Sequence, residues 1–284
     1  MVSKKHILYR NAGEGYSRAF RVSYYEGCSH GCKYCYGCCL AEKSGASCYA
    51  KWIKPVLVEN TLEILKEDIM HVKDKGEVFV ESVSDAYMPG ADPKVTHKVL
   101  ELLALSGFTI FLLTKNASVV RDLNLFKRFN QRIKVGFTIV TPNDELRGKV
   151  EPNSSPIEDR IAVLKELHEV GLHTVVSLEP LLPNVSIEDY LQLVEKIDPY
   201  VKSYEPVGKL STNIPLEFTN DEEWRGIETG RYDAHFVELF KALLPKLGNK
   251  YRIAEHSRVF LDQHAIKYLD KSIKLSSSCD YSPF

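Results

Sequence analysis

The sequence predicts an α/β protein built around a parallel sheet. Segments rich in Val, Ile, Leu and Phe alternate with helical patterns, and the alternation is lost after about residue 212. Strands that alternate with helices form βαβ units, and near-continuous apolar runs fit strands that are covered on both faces. The six predicted strands are 18–25, 77–83, 108–115, 133–140, 172–180 and 200–206. Six units fit an open doubly wound sheet or an incomplete barrel, and both bind ligands at the C-terminal ends of the strands.

The predicted helices between these strands begin at recognisable capping residues. Ser, Thr, Asp or Asn before an apolar period of 3.6 residues predicts a helix start, and a Pro at the first helical position strengthens the prediction. The four pairs that carry this signal are Asn60 with Glu63, Asp92 with Pro93, Ser155 with Pro156, and Ser186 with Asp189. Each is followed by Leu, Ile or Val at helical spacing, so each predicts an amphipathic helix.

The composition indicates a folded globular protein that is not globally basic. The chain has 284 residues, 44% of them hydrophobic, and 37 Lys and Arg against 38 Asp and Glu give a formal net charge of -1. This balance argues against a histone-like nucleic-acid binder, although a local basic groove is still compatible with it. We find neither a signal-peptide pattern nor an apolar run of the roughly 20 residues that a bilayer span needs. We therefore expect a cytoplasmic protein with no membrane partner.

A cluster of cysteines carries the strongest chemical signal. Six of the seven cysteines lie between positions 28 and 48, where a reducing compartment favours metal or iron–sulfur ligation over disulfides. Cys28, Cys32 and Cys35 have the spacing C-x3-C-x2-C. Cubane iron–sulfur clusters usually take four thiolates, so three would leave one iron open for a substrate or cofactor.

Two other metal sites fit part of the same run. Cys32, Cys35 and Cys38 match the C-x2-C-x2-C run of bacterial ferredoxins, but the fourth position is a glutamate and no Cys-Pro follows. A structural zinc site would combine Cys32 and Cys35 with Cys38, Cys39 or Cys48. A chain with a large α/β core has little need of a zinc staple, so we favour the three-cysteine cluster.

The motif "CSHGCKYCY" resembles that of the radical S-adenosylmethionine (SAM) superfamily. The segments "SVSDAYMPG", "LLTKNASVVRDL", "VGFTIVTPNDEL", "EPNSSPIEDRI" and "LHTVVSLEPLLP" resemble the spore photoproduct lyase-like group within it, also described as DNA repair photolyase-like. The resemblance implies a partial (β/α)6 TIM-type barrel with a C-terminal helical extension. We expect an N-terminal arm over 1–17, the barrel over 18–212 and the extension over 213–284.

The same resemblance implies the reaction and the cofactors. A [4Fe-4S] cluster on Cys28, Cys32 and Cys35 would cleave SAM reductively to a 5'-deoxyadenosyl radical, which abstracts a hydrogen atom from a substrate. The expected SAM-binding residues are Tyr34, Tyr36, Ser84, Lys115 and Thr138. Ser84, with Asp85 as a weaker candidate, would take the amino group of SAM, and Lys115 would pair with its carboxylate. Thr138 would reach the ribose, and Tyr36 the adenine.

One position departs from the pattern of the group. Spore photoproduct lyase carries a cysteine two residues before the serine that Ser84 matches, and this cysteine returns a hydrogen atom to the product radical. The present chain has Ser82 there. A serine O–H bond is too strong to serve as that donor. We therefore expect SAM cleavage without efficient repair of the thymine lesion.

Several other residues have two interpretations each. Glu179 and Glu205 end predicted strands, where they would bind a cationic substrate group or pair with arginines. Glu151 and Arg160 recur as a pair in the resembling group, and we expect a structural ion pair. The cysteines outside the motif would ligate a second cluster or remain thiols; they are Cys38, Cys39, Cys48 and Cys279.

The expected partners are a reducing electron donor of flavodoxin or ferredoxin type and a substrate that the sequence does not define. Nucleic acid is one candidate, because Arg, Trp and Tyr mix between positions 224 and 258. Two alternative functions stay open. One is radical chemistry on a peptide or small molecule, and the other is a zinc- or cluster-bearing binding module without turnover.

Overall fold

Ten strands and the helices between them make up the described part of the chain. The computed structural model describes residues 2–11, 18–38, 49–209, 231–253 and 257. The strands are β1 (Leu8–Arg10), β2 (Phe20–Val22), β3 (Tyr25–Glu26), β4 (Val56–Leu57), β5 (Glu77–Val80), β6 (Thr109–Thr114), β7 (Ile133–Thr138), β8 (His173–Leu181), β9 (Ser203–Lys209) and β10 (Tyr251–Ile253). The named helices are α1 (Tyr49–Trp52), α2 (Thr61–His71), α3 (Pro93–Leu105), α4 (Leu123–Arg128), α5 (Asp144–Val150), α6 (Ile157–Glu169), α7 (Ile187–Ile197) and α8 (Arg231–Leu247).

The order of strands in the main sheet distinguishes a barrel from a doubly wound sheet. Eight strands follow one another as β1, β2, β5, β6, β7, β8, β9 and β10, and all neighbours after β1–β2 are parallel. A doubly wound sheet reverses its strand order at a switch point, and this sheet has no reversal. Since crossovers between parallel strands are almost always right-handed, an unreversed order puts the helices on one face. The predicted partial TIM-type barrel is confirmed.

All six predicted strands are present, and two further strands extend the sheet. β1 pairs antiparallel with β2, and β10 pairs parallel with β9. The sequence analysis did not predict either, because three residues are too few to show a period. The sheet thus draws strands from both sides of the range 18–212. α8 lies in the predicted C-terminal extension.

Two of the predicted caps are confirmed. The Asp92 carboxylate accepts hydrogen bonds from the backbone N–H groups of Lys94 and Val95 at 2.8 and 3.2 Å, and Pro93 is the first residue of α3. The Ser186 hydroxyl accepts a hydrogen bond from the backbone N–H of Asp189 at 3.0 Å. The start of both helices therefore follows from a hydrogen bond between neighbouring residues, which the sequence alone predicts.

The other two predicted caps are wrong, although their helices exist. Asn60 precedes α2 in a left-handed conformation, with φ of 53°, and its side chain makes no cap hydrogen bond. Ser155 does not cap α6, because its hydroxyl instead accepts from the N–H of Ala117 at 2.9 Å. The backbone N–H of Ile157, the first residue of α6, is satisfied by Asp144 at 3.0 Å. For α6, tertiary contacts replace the local cap.

A layer of charged side chains lies at the N-terminal end of the sheet. The Arg18 guanidinium pairs with Glu77 at 3.2 Å and with Glu205 at 2.9 Å, and it lies 3.3 Å from the centroid of the Phe111 ring. Lys134 completes the layer by pairing with Glu77 at 2.7 Å. Glu205, which we expected either to bind a cationic substrate group or to pair with an arginine, pairs with Arg18.

Glu81 is a buried acid in an unusual backbone conformation. It follows β5 directly with φ of 53°, and its side chain is 2% exposed. Its Oε1 accepts hydrogen bonds from the backbone N–H groups of Tyr24 and Tyr25, while Oε2 finds no partner among the residues that the structure describes. Burial raises the pKa of Glu81 to about 8. The carboxyl is therefore largely protonated at neutral pH.

We expect the stability of the protein to fall as the pH rises from 6 to 8. The folded-state pKa of Glu81 lies above its unfolded value, so the native state binds the extra proton and loses that advantage as the pH approaches about 8. Linkage gives a loss of roughly 2–3 kcal/mol over this window. Urea unfolding at pH 6 and pH 8 measures it. Glu81→Gln should remove most of the difference, and the exposed Glu59→Gln should not. A wild-type stability that stays flat across the window contradicts the assignment.

Candidate active site

The residues predicted to bind the cofactors lie at the C-terminal ends of the parallel strands. Ser84 follows β5, Lys115 follows β6, and Thr138 is the last residue of β7. The cysteine loop occupies 27–35, after β3, and a helical turn begins at Tyr36. Parallel strands end at one edge of a sheet, so these positions converge on one rim.

The three motif cysteines occupy a loop that is mostly shielded from solvent. Cys28 and Cys32 are each 8% exposed, and Cys35 is partly exposed. Gly31 sits between them with φ of +68°, a conformation that L side chains rarely adopt. The Tyr49 hydroxyl of α1 donates a hydrogen bond to the Gly31 carbonyl, and so fixes the turn from outside.

The donor set fits an iron–sulfur cluster. Burial raises the pKa of Cys28 well above its usual value and that of Cys32 to about 12, and the neighbouring Cys35 adds to both upward shifts. Without a bound cation, the buried sulfurs would thus be neutral, whereas a metal centre deprotonates a coordinating thiol outright. Among the described residues, no three His, Cys, Asp or Glu side chains converge as ligands of a single ion. Cys39 and Cys48, which the zinc alternative would also use, lie outside the described residues, so the zinc alternative stays a prediction.

A buried ion pair supports the loop from the opposite side. Glu151 and Arg160 are both fully buried, and the Arg160 guanidinium donates to Glu151 at 2.7 Å. The same guanidinium donates to the carbonyls of Thr138 at 2.8 Å and Ser155 at 2.9 Å. Tyr34, between the second and third motif cysteines, donates its hydroxyl proton to Glu151. The pair is structural as expected, and a contact between Tyr34 and a cofactor would have to use the ring.

Ser84 and Tyr36 are fixed by backbone carbonyls. The Ser84 hydroxyl donates to the carbonyl of Gly27, so its oxygen keeps lone pairs for an incoming donor. The Tyr36 hydroxyl donates to the carbonyl of Ser82 at 3.0 Å, and the side chain is 42% exposed. Two of the predicted SAM contacts are therefore oriented before any ligand binds.

Lys115 provides a positive charge next to the cysteine loop. Its Nζ lies 5.8 Å from the centroid of the Tyr34 ring. Burial acts to lower the pKa of Lys115, but the neighbouring acidic groups Cys32, Glu151 and Asp85 outweigh it and raise the pKa above its usual value. The side chain therefore stays an ammonium group, which is the form that pairs with a carboxylate.

Asp85 is occupied by protein donors. Its carboxylate accepts hydrogen bonds from His30 Nε2 at 2.8 Å, Tyr87 N at 2.8 Å and Lys115 N at 2.9 Å, and from the Thr114 hydroxyl at 2.8 and 3.0 Å. Burial acts to raise the pKa of Asp85, but the charge and hydrogen bond of His30 lower it overall. Asp85 is thus part of the framework, and the amino group of SAM is left to Ser84 as the stronger candidate.

The cysteines outside the motif are only partly described. Cys38 is 1% exposed and lies in the helical turn that begins at Tyr36. Cys39, Cys48 and Cys279 fall outside the described residues. Most of the stretch 224–258, which contains Arg, Trp and Tyr, also falls outside the described residues. In its described part, Arg252 lies 3.7 Å from Glu205. A second cluster therefore stays a prediction.

The sequence analysis missed the residues that bind the cysteine loop to its surroundings. His30 lies inside the motif, and Asn153 lies in the "EPNSS" segment. Asn153 donates from its side-chain amide to the carbonyl of Ser29 at 2.8 Å and from its backbone N–H to that of His30 at 3.1 Å. Partners more than 100 residues apart leave no trace in local spacing, so no sequence pattern pairs them.

Comparison with known proteins agrees with this architecture. The family model described as the Radical SAM superfamily matches residues 22–197, more than half of the chain. An uncharacterized protein of Methanocaldococcus jannaschii is 32% identical over 184 residues, which cover 64% of this chain and 67% of the relative. An uncharacterized protein of Acidianus two-tailed virus is 23% identical over 85% of this chain and 83% of its own length.

Solved structures share the fold. A cysteine-to-alanine mutant of spore photoproduct lyase superposes with a TM-score of 0.61 at 16% identity, over 89% of this chain and 80% of that one. A mutant of the same lyase with bound AdoMet and dinucleoside spore photoproduct gives 0.58 at 14% identity over the same shares. At this identity the similarity shows the fold alone. Within the described residues, no helix is long and apolar enough to cross a membrane.

Proposed function

Because the chain belongs to the radical SAM superfamily, we propose that it cleaves SAM reductively and uses the resulting 5'-deoxyadenosyl radical to abstract a hydrogen atom from a substrate. Cys28, Cys32 and Cys35 would hold a [4Fe-4S] cluster. When bound, the cluster supplies the single electron that splits the sulfonium of SAM into methionine and the radical. The observation that carries the proposal is the convergence of the buried cysteine loop, Ser84 and Lys115 on one rim of the barrel.

The residues around the loop would bind and orient SAM. Lys115 would pair with the carboxylate, and the Ser84 oxygen, whose own proton goes to Gly27, would accept from the amino group. Thr138 would contact the ribose and Tyr36 the adenine. These contacts hold the reacting bond in one orientation, which is how an enzyme limits side reactions of a radical.

We propose that the substrate reaction differs from repair of spore photoproduct, although the enzyme is related in fold to spore photoproduct lyase. The argument rests on Ser82, whose carbonyl accepts the Tyr36 hydroxyl and whose side chain is an alcohol where that lyase has a thiol. The substrate could be nucleic acid, peptide or small molecule, and a flavodoxin- or ferredoxin-type protein would supply the electron.

The experiment is anaerobic reconstitution of the full chain with iron and sulfide, followed by dithionite and SAM. We expect 5'-deoxyadenosine and methionine in the absence of a lesion, and no multiple-turnover repair when dinucleoside spore photoproduct is added. Absence of SAM cleavage by the cluster-loaded protein contradicts the radical function. Efficient conversion of the lesion to thymidine dinucleotide contradicts only the substrate assignment, because it shows that a donor other than Ser82 suffices.

A further inference from the structure

His30 is a buried histidine fixed from both sides inside the cysteine motif. It is 1% exposed and lies between Cys28 and Cys32 in sequence. Its Nε2 lies 2.8 Å from Asp85 Oδ2, and its Nδ1 lies 3.2 Å from the backbone carbonyl oxygen of Asn153. Both partners are acceptors that face the ring nitrogens from opposite sides, so the ring is held in one orientation.

Asp85 continues this connection to the end of β6. Its Oδ2, which accepts from His30, also accepts from the backbone N–H of Lys115 at 2.9 Å. The Thr114 hydroxyl and the Tyr87 N–H bind Oδ1, each at 2.8 Å. One carboxylate thus joins the cysteine loop to the strand end that carries the Lys115 ammonium.

Other hydrogen bonds of the loop connect it to other parts of the chain. Lys33 N–H donates to the carbonyl of Val150 at 2.9 Å, and Asn153 binds the backbone of residues 29 and 30. These contacts fix the loop to the segment 150–153. Further hydrogen bonds join the loop to Trp52 and Pro89. In the described part of the chain, the His30–Asp85 pair is the hydrogen-bonded side-chain link between the loop and the end of β6, next to the 5.8 Å approach of Lys115 Nζ to the Tyr34 ring.

We propose that His30 and Asp85 are positioning residues that set the distance between the cluster-binding loop and the Lys115 ammonium, and thereby the affinity for SAM. The inference rests on the proposed function, in which SAM must reach the open iron and Lys115 at the same time. A loop without this link would still be held by the 150–153 segment and by its contacts with Tyr49, Trp52, Ser84 and Pro89, so it would keep its three thiolates and still bind iron. It would no longer present the iron at a fixed distance from the ammonium.

The test uses the full chain, reconstituted anaerobically, with His30→Phe, His30→Gln and Asp85→Asn. Iron and sulfide per chain measure cluster loading, and the change in the EPR spectrum of the reduced cluster on titration with SAM measures affinity. We expect near wild-type loading in all three variants. SAM binding should weaken at least tenfold in His30→Phe, which has no donor, and in Asp85→Asn, whose amide would face an N–H group. His30→Gln should fall between them and wild type, because its amide can still donate to Asp85.

A second His–Asp pair supplies the matched control. His6 Nδ1 lies 2.7 Å from Asp68. This pair joins the start of β1 to α2 and not to the cysteine loop, so His6→Phe should leave SAM affinity unchanged. Wild-type affinity in His30→Phe and Asp85→Asn overturns the positioning role. The positioning role is also overturned if cluster loading and melting temperature fall together while the chains that keep their cluster bind SAM normally. A purely structural role predicts that result.

Two further outcomes are also decisive. If His30→Phe and Asp85→Asn fail to fold, Thr114→Val removes one donor to Asp85 with little change of volume and should weaken SAM binding two- to fivefold. An unchanged affinity in that variant overturns the inference. If the loaded wild type shows no spectral response to SAM, the proposed function itself fails, and the positioning role fails with it.

Discussion

Replacing any one of Cys28, Cys32 and Cys35 by alanine is expected to abolish formation of 5'-deoxyadenosine. Three thiolates are already one fewer than a cubane cluster usually has, and the fourth iron must stay open for SAM. Loss of one more thiolate therefore leaves too few ligands to retain the cluster. The measurements are iron content, absorbance near 400 nm and 5'-deoxyadenosine after addition of dithionite and SAM. We expect no detectable product and strongly reduced iron in each variant.

Cys38 is the matched control for this experiment. It follows Cys35 by one helical turn and is buried as deeply as the motif cysteines, but it lies outside the C-x3-C-x2-C spacing. Cys38→Ala should keep both iron and product, with at most about 1 kcal/mol of lost stability for the small cavity. If all three motif variants still form 5'-deoxyadenosine, the cluster assignment is wrong. Loss of product in Cys38→Ala alone would instead place the cluster on a different set of cysteines.

Glu151→Gln is expected to have the largest effect on stability. The change leaves the Arg160 guanidinium, which is fully buried, without its carboxylate partner. Breaking a buried ion pair from one side typically costs about 3–5 kcal/mol, because an uncompensated charge remains in the core. The Tyr34 hydroxyl also loses its carboxylate acceptor, so cluster loading should fall in parallel. Urea unfolding of wild type and variant measures the first effect, and iron content measures the second.

Two further variants test whether the loss of stability comes from the unpaired buried charge of Arg160 or from the change of side chain alone. The double variant Glu151→Gln with Arg160→Met should be less destabilised than the sum of the two single changes, because no unpaired charge is left. Glu158→Gln breaks the exposed pair with Lys196, which is 2.6 Å long, and should cost less than about 1 kcal/mol. A Glu151→Gln protein as stable as Glu158→Gln would show that Arg160 finds other compensation.

The sequence predicted those parts of the fold and site that depend on neighbouring residues. The strands are visible because buried parallel strands are continuous apolar runs, and the caps at Asp92 and Ser186 are visible because a cap is a contact within three residues. The predicted cap at Asn60 fails because the residue adopts a left-handed conformation, and the cap at Ser155 fails because a distant residue binds the same hydroxyl. Ser155, for example, serves Ala117 in place of its own helix.

The same distinction between neighbouring and distant residues applies to the candidate site. The three cysteines share one loop, and their spacing is legible in the sequence. The His30–Asp85 link joins residues 55 positions apart, and the sequence analysis gave Asp85 as the weaker candidate beside Ser84 for the amino group of SAM. Only the structure shows that the Asp85 carboxylate binds the protein framework. Ser84 stays the residue that we propose for the cofactor.

The charged layer at the base of the barrel has a consequence for the order in which the molecule assembles. Arg18 and Glu205 are 187 residues apart, so their ion pair is among the most non-local contacts of the chain. Contacts of such separation are slow to form, because a long loop must close before they contribute any stability. The predicted cofactor-binding residues, 28–138, all leave the ribosome before β9 is made. Folding of the nascent chain can therefore shape the cluster loop early, whereas closure of the barrel base must wait until β9 has been made.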